Sequence, residues 1–151
     1  MEPPVVDRTV TVLLVEDNEV DVEGVRRAFK AQRIANPILV ARDGVEALEM
    51  LRGTNGRAPI ARPYLLLLDL NMPRMNGIEL LEVMRKDPML RDSVVFVLTT
   101  SSSDEDKVAS YQYNVAGYVV KADVGAGFLH LLTLLDCYWR IVEFPPDPVG
   151  S

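Results

Sequence analysis

VTVLLVED, residues 10–17, reads as a strand buried on both sides that stops abruptly at two acids, Glu16 and Asp17. Apart from Thr11 the run is apolar up to Val15. A short apolar run without polar alternation is the mark of a parallel strand covered by helices on both faces. Three later runs repeat the design. YLLLLDLNMP (64–73) carries Asp69, VVFVLTT (94–100) ends in Thr99 and Thr100, and GYVVK (117–121) ends in Lys121. In an open parallel sheet, residues just beyond the strand ends converge on one crevice.

Helix-period segments separate these runs. Asn18 is placed to cap a helix whose Val22, Val25 and Phe29 share a face. Residues 37–41 supply a second strand, and Asp43 caps a short helix with Val45, Leu48 and Leu51 inward. GTNGRAPIARP (53–63) has the Gly, Asn and Pro content of a loop and no apolar period, so it reads as a surface insertion. After the strand at 64–68, Asn76 caps a helix with Ile78, Leu81 and Met84 buried, and Asp87-Pro88 ends it. The helix after the strand at 94–98, about 103–114, has only Val108, Ala109, Tyr111 and Val115 to bury and should be the least firmly packed. A fifth strand at 117–120 and a last helix from about 126 to 142 complete the pattern. Repeated β-α units imply an α/β fold, (βα)5, a doubly wound parallel sheet with helices on both faces. The expectation is a single domain over 1–151, with its core at about 10–142 and a Pro-rich tail at 143–151 too short for an output domain.

A net charge of −6, from 22 acids against 16 Lys and Arg, argues against nucleic-acid binding. MEPPVVDRT at the start lacks the basic and apolar regions of a signal peptide. The most apolar stretch, 128–142, is broken by His130, Asp136 and Arg140 and falls short of the ~20 residues that span a bilayer, so no membrane segment is expected. The single cysteine, Cys137, cannot form an internal disulfide and reads as core or interface, which suits a reducing cytoplasm. His130 has no second ligand at metal-binding spacing.

The strand-end residues carry the chemistry. Glu16, Asp17 and Asp69 repel one another when held together unless a cation neutralises them. Oxygen-only ligands, with room for water and a phosphate oxygen, suit Mg2+ better than Zn2+, and the Asn71 carbonyl offers a further neutral oxygen. Asp69, in the middle of the row, is the expected nucleophile for an aspartyl phosphate, with Lys121 and the Thr99 hydroxyl completing the site. Taken singly, each residue has a plainer reading: a solvated strand end, a turn aspartate, a surface lysine, a β-branched strand residue. Their joint placement at separate strand ends is what favours a phosphoryl site.

LLVEDN, DLNMPRMNG, LTTS and YVVK, in this order and spacing, resemble the receiver domain of two-component response regulators. The resemblance runs from about Val10 to Val142 and implies a flavodoxin-like sheet of strand order 2-1-3-4-5. It implies that Asp69 accepts the phosphoryl group, that Asp17 and the Asn71 carbonyl bind Mg2+ directly, and that Glu16 acts through water. Thr99 would hydrogen-bond the phosphoryl group, Lys121 would pair with it, and Tyr118 would turn inward as Thr99 moves. Two residues depart from the family pattern: Ala122 follows Lys121 where proline in a cis peptide is usual, and Thr100 replaces a smaller residue. A cis bond before alanine would cost ~3 kcal/mol. The insertion, LTTS and YWRIVEFPP after the last helix further resemble stand-alone receivers partnered with bacterial phytochromes. The implied partners are a sensor histidine kinase, a bacteriophytochrome in the finer resemblance, and a downstream phosphotransfer protein. The implied activity is not enzymatic beyond Mg-assisted self-phosphorylation and slow autodephosphorylation.

The last helix carries more apolar surface than one sheet face needs. Phe128, Leu131, Leu132, Leu135 and Trp139 form one strip; Leu134, Cys137, Tyr138 and Ile141 form another. The second strip either completes the core or, through Leu134, Tyr138 and Ile141, joins the preceding helix and the C-terminal tail in a homodimer interface, which is the expectation. A haloacid-dehalogenase-type phosphatase needs an acid where Asn71 stands. A phosphate-independent interaction module would be expected to lose Asp69, Lys121 or an acidic partner. A flavin or nucleotide site is disfavoured by the acids of Glu16-Asp17-Asn18.

Overall fold

Alternation along five short strands sorts the core into two halves, one under each helical layer. The computed structural model describes residues 9–123, 129–146 and 148. In chain order the elements are β1 (Thr11–Val15), α1 (Glu19–Ala31), β2 (Ile38–Ala41), α2 (Gly44–Arg52), β3 (Tyr64–Leu68), α3 (Gly77–Lys86), β4 (Val94–Thr99), α4 (Asp104–Gln112), β5 (Gly117–Val120), a 3-10 turn at Lys121–Asp123, and α5 (Leu129–Ile141). All neighbouring strands pair in parallel, in the order β2-β1-β3-β4-β5. This is the flavodoxin-like α/β fold expected from the alternating pattern.

Successive strand residues point to opposite faces. Leu13, Val15, Tyr64, Leu66, Leu68, Val95 and Val97 pack with Ala47, Leu48 and Leu51 of α2 and Leu80, Leu81 and Met84 of α3. Val12, Leu14, Leu65, Leu67, Phe96 and Leu98 pack with Val22, Val25 and Phe29 of α1 and Leu131, Leu132 and Leu135 of α5. Burying one such leucine contributes about 1.5–3 kcal/mol, so the doubly covered β3 is the principal support of the sheet. Four helix starts are capped by side chains: Asn18 accepts the Val20 and Asp21 N–H groups, Asp43 that of Glu46, Asn76 that of Glu79, and Ser103 that of Asp106.

Helix α4 departs from expectation. Val108 and Tyr111 are 58% and 53% exposed, and within the helix only Ser110 is buried; Val115, beyond its end, is buried as anticipated. The inward face is centred on Asp106, Ser110 and Tyr113, one helical phase away from the apolar pair. Small Ser110 lets the helix lie close to the sheet, but its Oγ has no hydrogen-bond partner. The far end of α4 is held by Arg85 of α3, whose guanidinium donates to the carbonyls of Tyr113 (2.6 Å), Asn114 (3.2 Å), Arg91 (2.9 Å) and Ser93 (2.8 Å).

In α5, Leu131, Leu132 and Leu135 are buried and Trp139 tilts against Phe29, with ring centres 6.1 Å apart. Phe128 and the anticipated start of this helix lie outside the described residues. The second strip divides. Tyr138 turns inward, edge-on to Phe96 (5.0 Å) and Phe144 (5.9 Å), whereas Leu134, Cys137 and Ile141 are exposed, so Cys137 is not a core residue. The segment 53–63 contains no helix or strand, yet it is pinned: Ile60 packs on the core and its N–H donates to the Met50 carbonyl. No helix among the described residues is long and apolar enough to cross a membrane.

Candidate functional site

The pleat continues one step past the strand ends and decides where the acids go. Glu16 N–H donates to the Ala41 carbonyl (2.9 Å) and Asp69 N–H to the Val15 carbonyl (3.0 Å), so both residues extend the ladder. By alternation Glu16 follows Leu14, Asp69 follows Leu67 and Lys121 follows Val119, all on the α1/α5 side. Carboxylate oxygens of Glu16, Asp17 and Asp69 lie within 4.8 Å of one another. Glu16 is 2% exposed and Asp69 is buried, while Asp17 opens to solvent.

Lys121 reaches into this group from the 3-10 turn. Its Nζ donates to Glu16 Oε2 (2.8 Å) and to Asp21 Oδ2 of α1 (2.7 Å), and lies 3.7 Å from Asp69 Oδ2. The Lys121–Ala122 peptide is trans, since the cis bond among the described residues is Arg62–Pro63. The departure at Ala122 therefore leaves the lysine on the acids. Burial opposes the lysine's charge, but the bonds to Asp21 and Glu16 and the charge of Asp69 outweigh it and raise its pKa. Burial is also the largest influence on Glu16: it pushes the carboxyl up to about 7, against the Lys121 hydrogen bond and with help from the Asp69 charge. One shared ammonium does not offset three crowded carboxylates and Asp21.

Thr99 and Tyr118 occupy the other side of the sheet and meet at one residue. Thr99, fully buried at the end of β4, accepts the Ser101 N–H at its hydroxyl (3.4 Å). The Tyr118 hydroxyl donates to the Ser101 carbonyl (2.9 Å), and its ring packs on the α2/α3 core. Burial raises the Tyr118 pKa, so the phenol stays a donor at neutral pH. Ser101 Oγ donates to Asp106 in the first turn of α4. Thr100 is exposed.

The chain after Asp69 is fixed by backbone contacts. Asn71 N–H donates to Asp69 Oδ1 (3.3 Å), and Gly77 N–H to the Leu70 carbonyl (3.0 Å). A Cβ on Gly77 would fall 2.6 Å from the Asp69 carbonyl oxygen, so glycine is needed where α3 abuts the acid's own backbone. Arg74 Nε donates to Asp43 Oδ2 (2.8 Å), and Gly44 N–H donates to the Met75 carbonyl (3.1 Å), which ties this loop to the start of α2. Burial pushes the Asp43 carboxyl up, but the Arg74 bond and the Glu46 N–H pull it down further, and its pKa lies below the ordinary range.

The structure thus assembles Glu16, Asp17, Asp69 and Lys121, and separately joins Thr99 to Tyr118 through Ser101. Leu134 and Ile141 are exposed on α5, far along the chain from either group. Two participants escaped the sequence reading. Asp21 stands at the third position of α1, where an acid ordinarily signals only a favourable helix start. Ser101 enters through its backbone, which no residue pattern reveals. Crowded hard oxygens with one open side fit a divalent cation, and the Glu16–Asp17–Asp69 trio is the sole such cluster among the described residues.

Known proteins share this fold. A family described as the response regulator receiver domain matches residues 12–126. Response regulator Rcp1 of Synechocystis sp. is 33% identical over 128 residues, covering 85% of this chain and 87% of that protein. The Mn(2+)-bound form of response regulator Rcp1 superposes with a TM-score of 0.79 at 32% identity, covering 91% of this chain and 99% of that one. The phosphorylated cyanobacterial phytochrome response regulator RcpA gives 0.81 at 31% identity, with the same shares covered. The bacteriophytochrome response regulator AtBRR gives 0.74 at 32% identity, covering 93% of this chain and all of that one (100%). With its parallel five-stranded sheet and its strand-end acids and lysine, this chain belongs to the response regulator receiver domain family, and it is similar to the phytochrome response regulators within it.

Proposed function

We propose that this receiver accepts a phosphoryl group on Asp69 from a phosphohistidine kinase, in two-component signalling linked to a phytochrome. The observation that carries the reading is the Lys121 ammonium 3.7 Å from Asp69, beside acids within 4.8 Å of one another. An Asp69 carboxylate oxygen attacks phosphorus, the phosphorus–nitrogen bond to the donor histidine breaks, and the imidazole leaves with the electron pair. Asp17, Asp69 and the Asn71 carbonyl would hold Mg2+, with Glu16 reaching it through water. Bound there, the ion would neutralise the carboxylates and shield them from the incoming phosphoryl oxygens. Lys121 and the Thr99 hydroxyl then donate to the phosphoryl oxygens.

Once Thr99 turns toward the phosphoryl group, it no longer accepts the Ser101 N–H. Ser101 also holds the Tyr118 hydroxyl, so the change passes to the Tyr118 ring and to α4. A full reversal of a 1:99 population needs ~5.5 kcal/mol of preference for the active form. The partners we infer are a bacteriophytochrome histidine kinase, a downstream phosphotransfer protein and a second copy of this chain, docked through the exposed Leu134 and Ile141 of α5 with Tyr138 beneath. Apart from self-phosphorylation and slow hydrolysis of the adduct, no catalysis is assigned. The protein would act in the cytoplasm.

Incubation with Mg2+ and acetyl phosphate, followed by intact-mass measurement, tests the assignment. Wild type should gain the mass of one phosphoryl group and Asp69→Asn should not. No adduct on wild type would leave only a phosphate-independent interaction module. Sedimentation with and without a phosphoryl mimic tests the dimer, and a monomer at high concentration in both would exclude it.

A further inference from the structure

We propose that Asp21 is a positioning residue that holds the Lys121 ammonium off Asp69 in the resting receiver, so that a phosphoryl group must win the lysine from it. The inference rests on Asp69 as phosphoacceptor and adds a residue that sets how strongly the phosphorylated form is held. Lys121 places its two short hydrogen bonds on Asp21 (2.7 Å) and Glu16 (2.8 Å), while Asp69 at 3.7 Å lies beyond hydrogen-bond reach. The phosphoacceptor is thus the weakest of the three claims on the lysine.

The two strong claims differ in what release costs. Glu16 is 2% exposed, and its other oxygen already accepts the Asn18 N–H (3.1 Å). Solvent does not reach that side chain to replace a lost ammonium, so giving it up there costs more than at a surface acid. Asp21 is 25% exposed at its side chain and can exchange the lysine for water. It is the partner built to let go. The helix start explains why Asp21 is available. In α3 the third residue, Glu79, accepts the N–H of its capping residue Asn76 (3.2 Å). In α1 the corresponding Asn18 N–H is taken by Glu16, and Asp21 at the same position turns across to Lys121 instead.

Each Asp21–Lys121 contact surrendered on phosphorylation weakens the phosphorylated form relative to the resting one. Removing the carboxylate should therefore tighten binding of a phosphoryl mimic, a direction in which mere loss of packing cannot move it. The experiment titrates beryllofluoride with Mg2+ present and reads the bound fraction by 19F NMR. Asp21→Asn, isosteric and compatible with the Asn18 cap, should bind about three- to tenfold more tightly than wild type, the range of a partly exposed charged hydrogen bond. Asp21→Ala should do the same. Glu19→Gln removes an equal charge from the same helix turn, but its residue pairs with Arg42 and not with the lysine; it should change affinity less than about twofold. Unchanged or weaker binding in both Asp21 variants, or an equal gain in Glu19→Gln, overturns the role of Asp21 alone. A wild type that binds no beryllofluoride overturns the phosphoacceptor reading itself, and the proposal with it.

Discussion

Replacing Lys121 by methionine should destabilise the cation-free protein by an amount that grows with pH. The ammonium donates to Glu16 at 2.8 Å and to Asp21 at 2.7 Å. At an effective dielectric of about 20, unit charges about 3 Å apart attract by about 5.5 kcal/mol, yet desolvation consumes much of that, and breaking a buried pair costs about 3–5 kcal/mol. Glu16 has an escape, because it can take up a proton. Its native pKa of about 7 lies above the ordinary carboxylate range. An acid raised in this way costs nothing below its unfolded pKa; stability then falls as pH climbs toward the native value and levels off above it. Without Lys121 the native value rises further, and the fall continues above pH 7 at up to about 1.4 kcal/mol per pH unit. Variant and wild type should therefore differ least near about pH 6, where Glu16 is protonated in both, and by up to about 2 kcal/mol more near about pH 8.5. Urea unfolding in EDTA, followed by circular dichroism at both pH values, measures the difference; groups that titrate alike in both proteins cancel. An equal loss at the two pH values would refute the claim that Lys121 is what keeps Glu16 charged.

Other perturbations probe the surroundings. Gly77→Ala drives a Cβ to within 2.6 Å of the Asp69 carbonyl, and should cost about 1–3 kcal/mol in urea unfolding while slowing adduct formation with acetyl phosphate. Asp43 contributes stability above its unfolded pKa that is lost as pH falls through its depressed native value; Arg74→Ala, which removes the main cause, should flatten the acid limb of a stability–pH curve below about pH 4. Ser110→Ala removes a buried hydroxyl without a partner and should be neutral or stabilising by up to about 1 kcal/mol, seen as an unchanged or raised Tm.

Why some of this was legible in the chain, and some not, follows from range. Apolar runs ending in Glu16, Asp69, Thr99 and Lys121 carry the strand pattern and the crevice together, because a parallel sheet delivers every strand end to one edge. Period-2 alternation even implies that Glu16, Asp69 and Lys121 share a face. Helix α4 was misread because Val108 and Tyr111 look like a buried pair, whereas the small Ser110 gains the sheet side by packing close. Tyr138 and Ile141 lie in one apolar strip of α5, yet Phe96 and Phe144 capture the first and leave the second exposed, a choice made by strands and tail distant in the chain. Asp21 was overlooked since an acid in a first helical turn is already explained by its own helix. The trans peptide at Lys121–Ala122 was likewise left open by the family pattern, which places a cis proline there.

Arg85 gives α4 a mechanical character. Its guanidinium clasps carbonyls at the C-terminal end of that helix, while the acidic N-terminal end is joined to the rest through Ser101. With one extremity clasped and the other tied to Ser101, and two apolar side chains facing water along its length, any displacement of Ser101 would reach the helix at the end opposite its clasp.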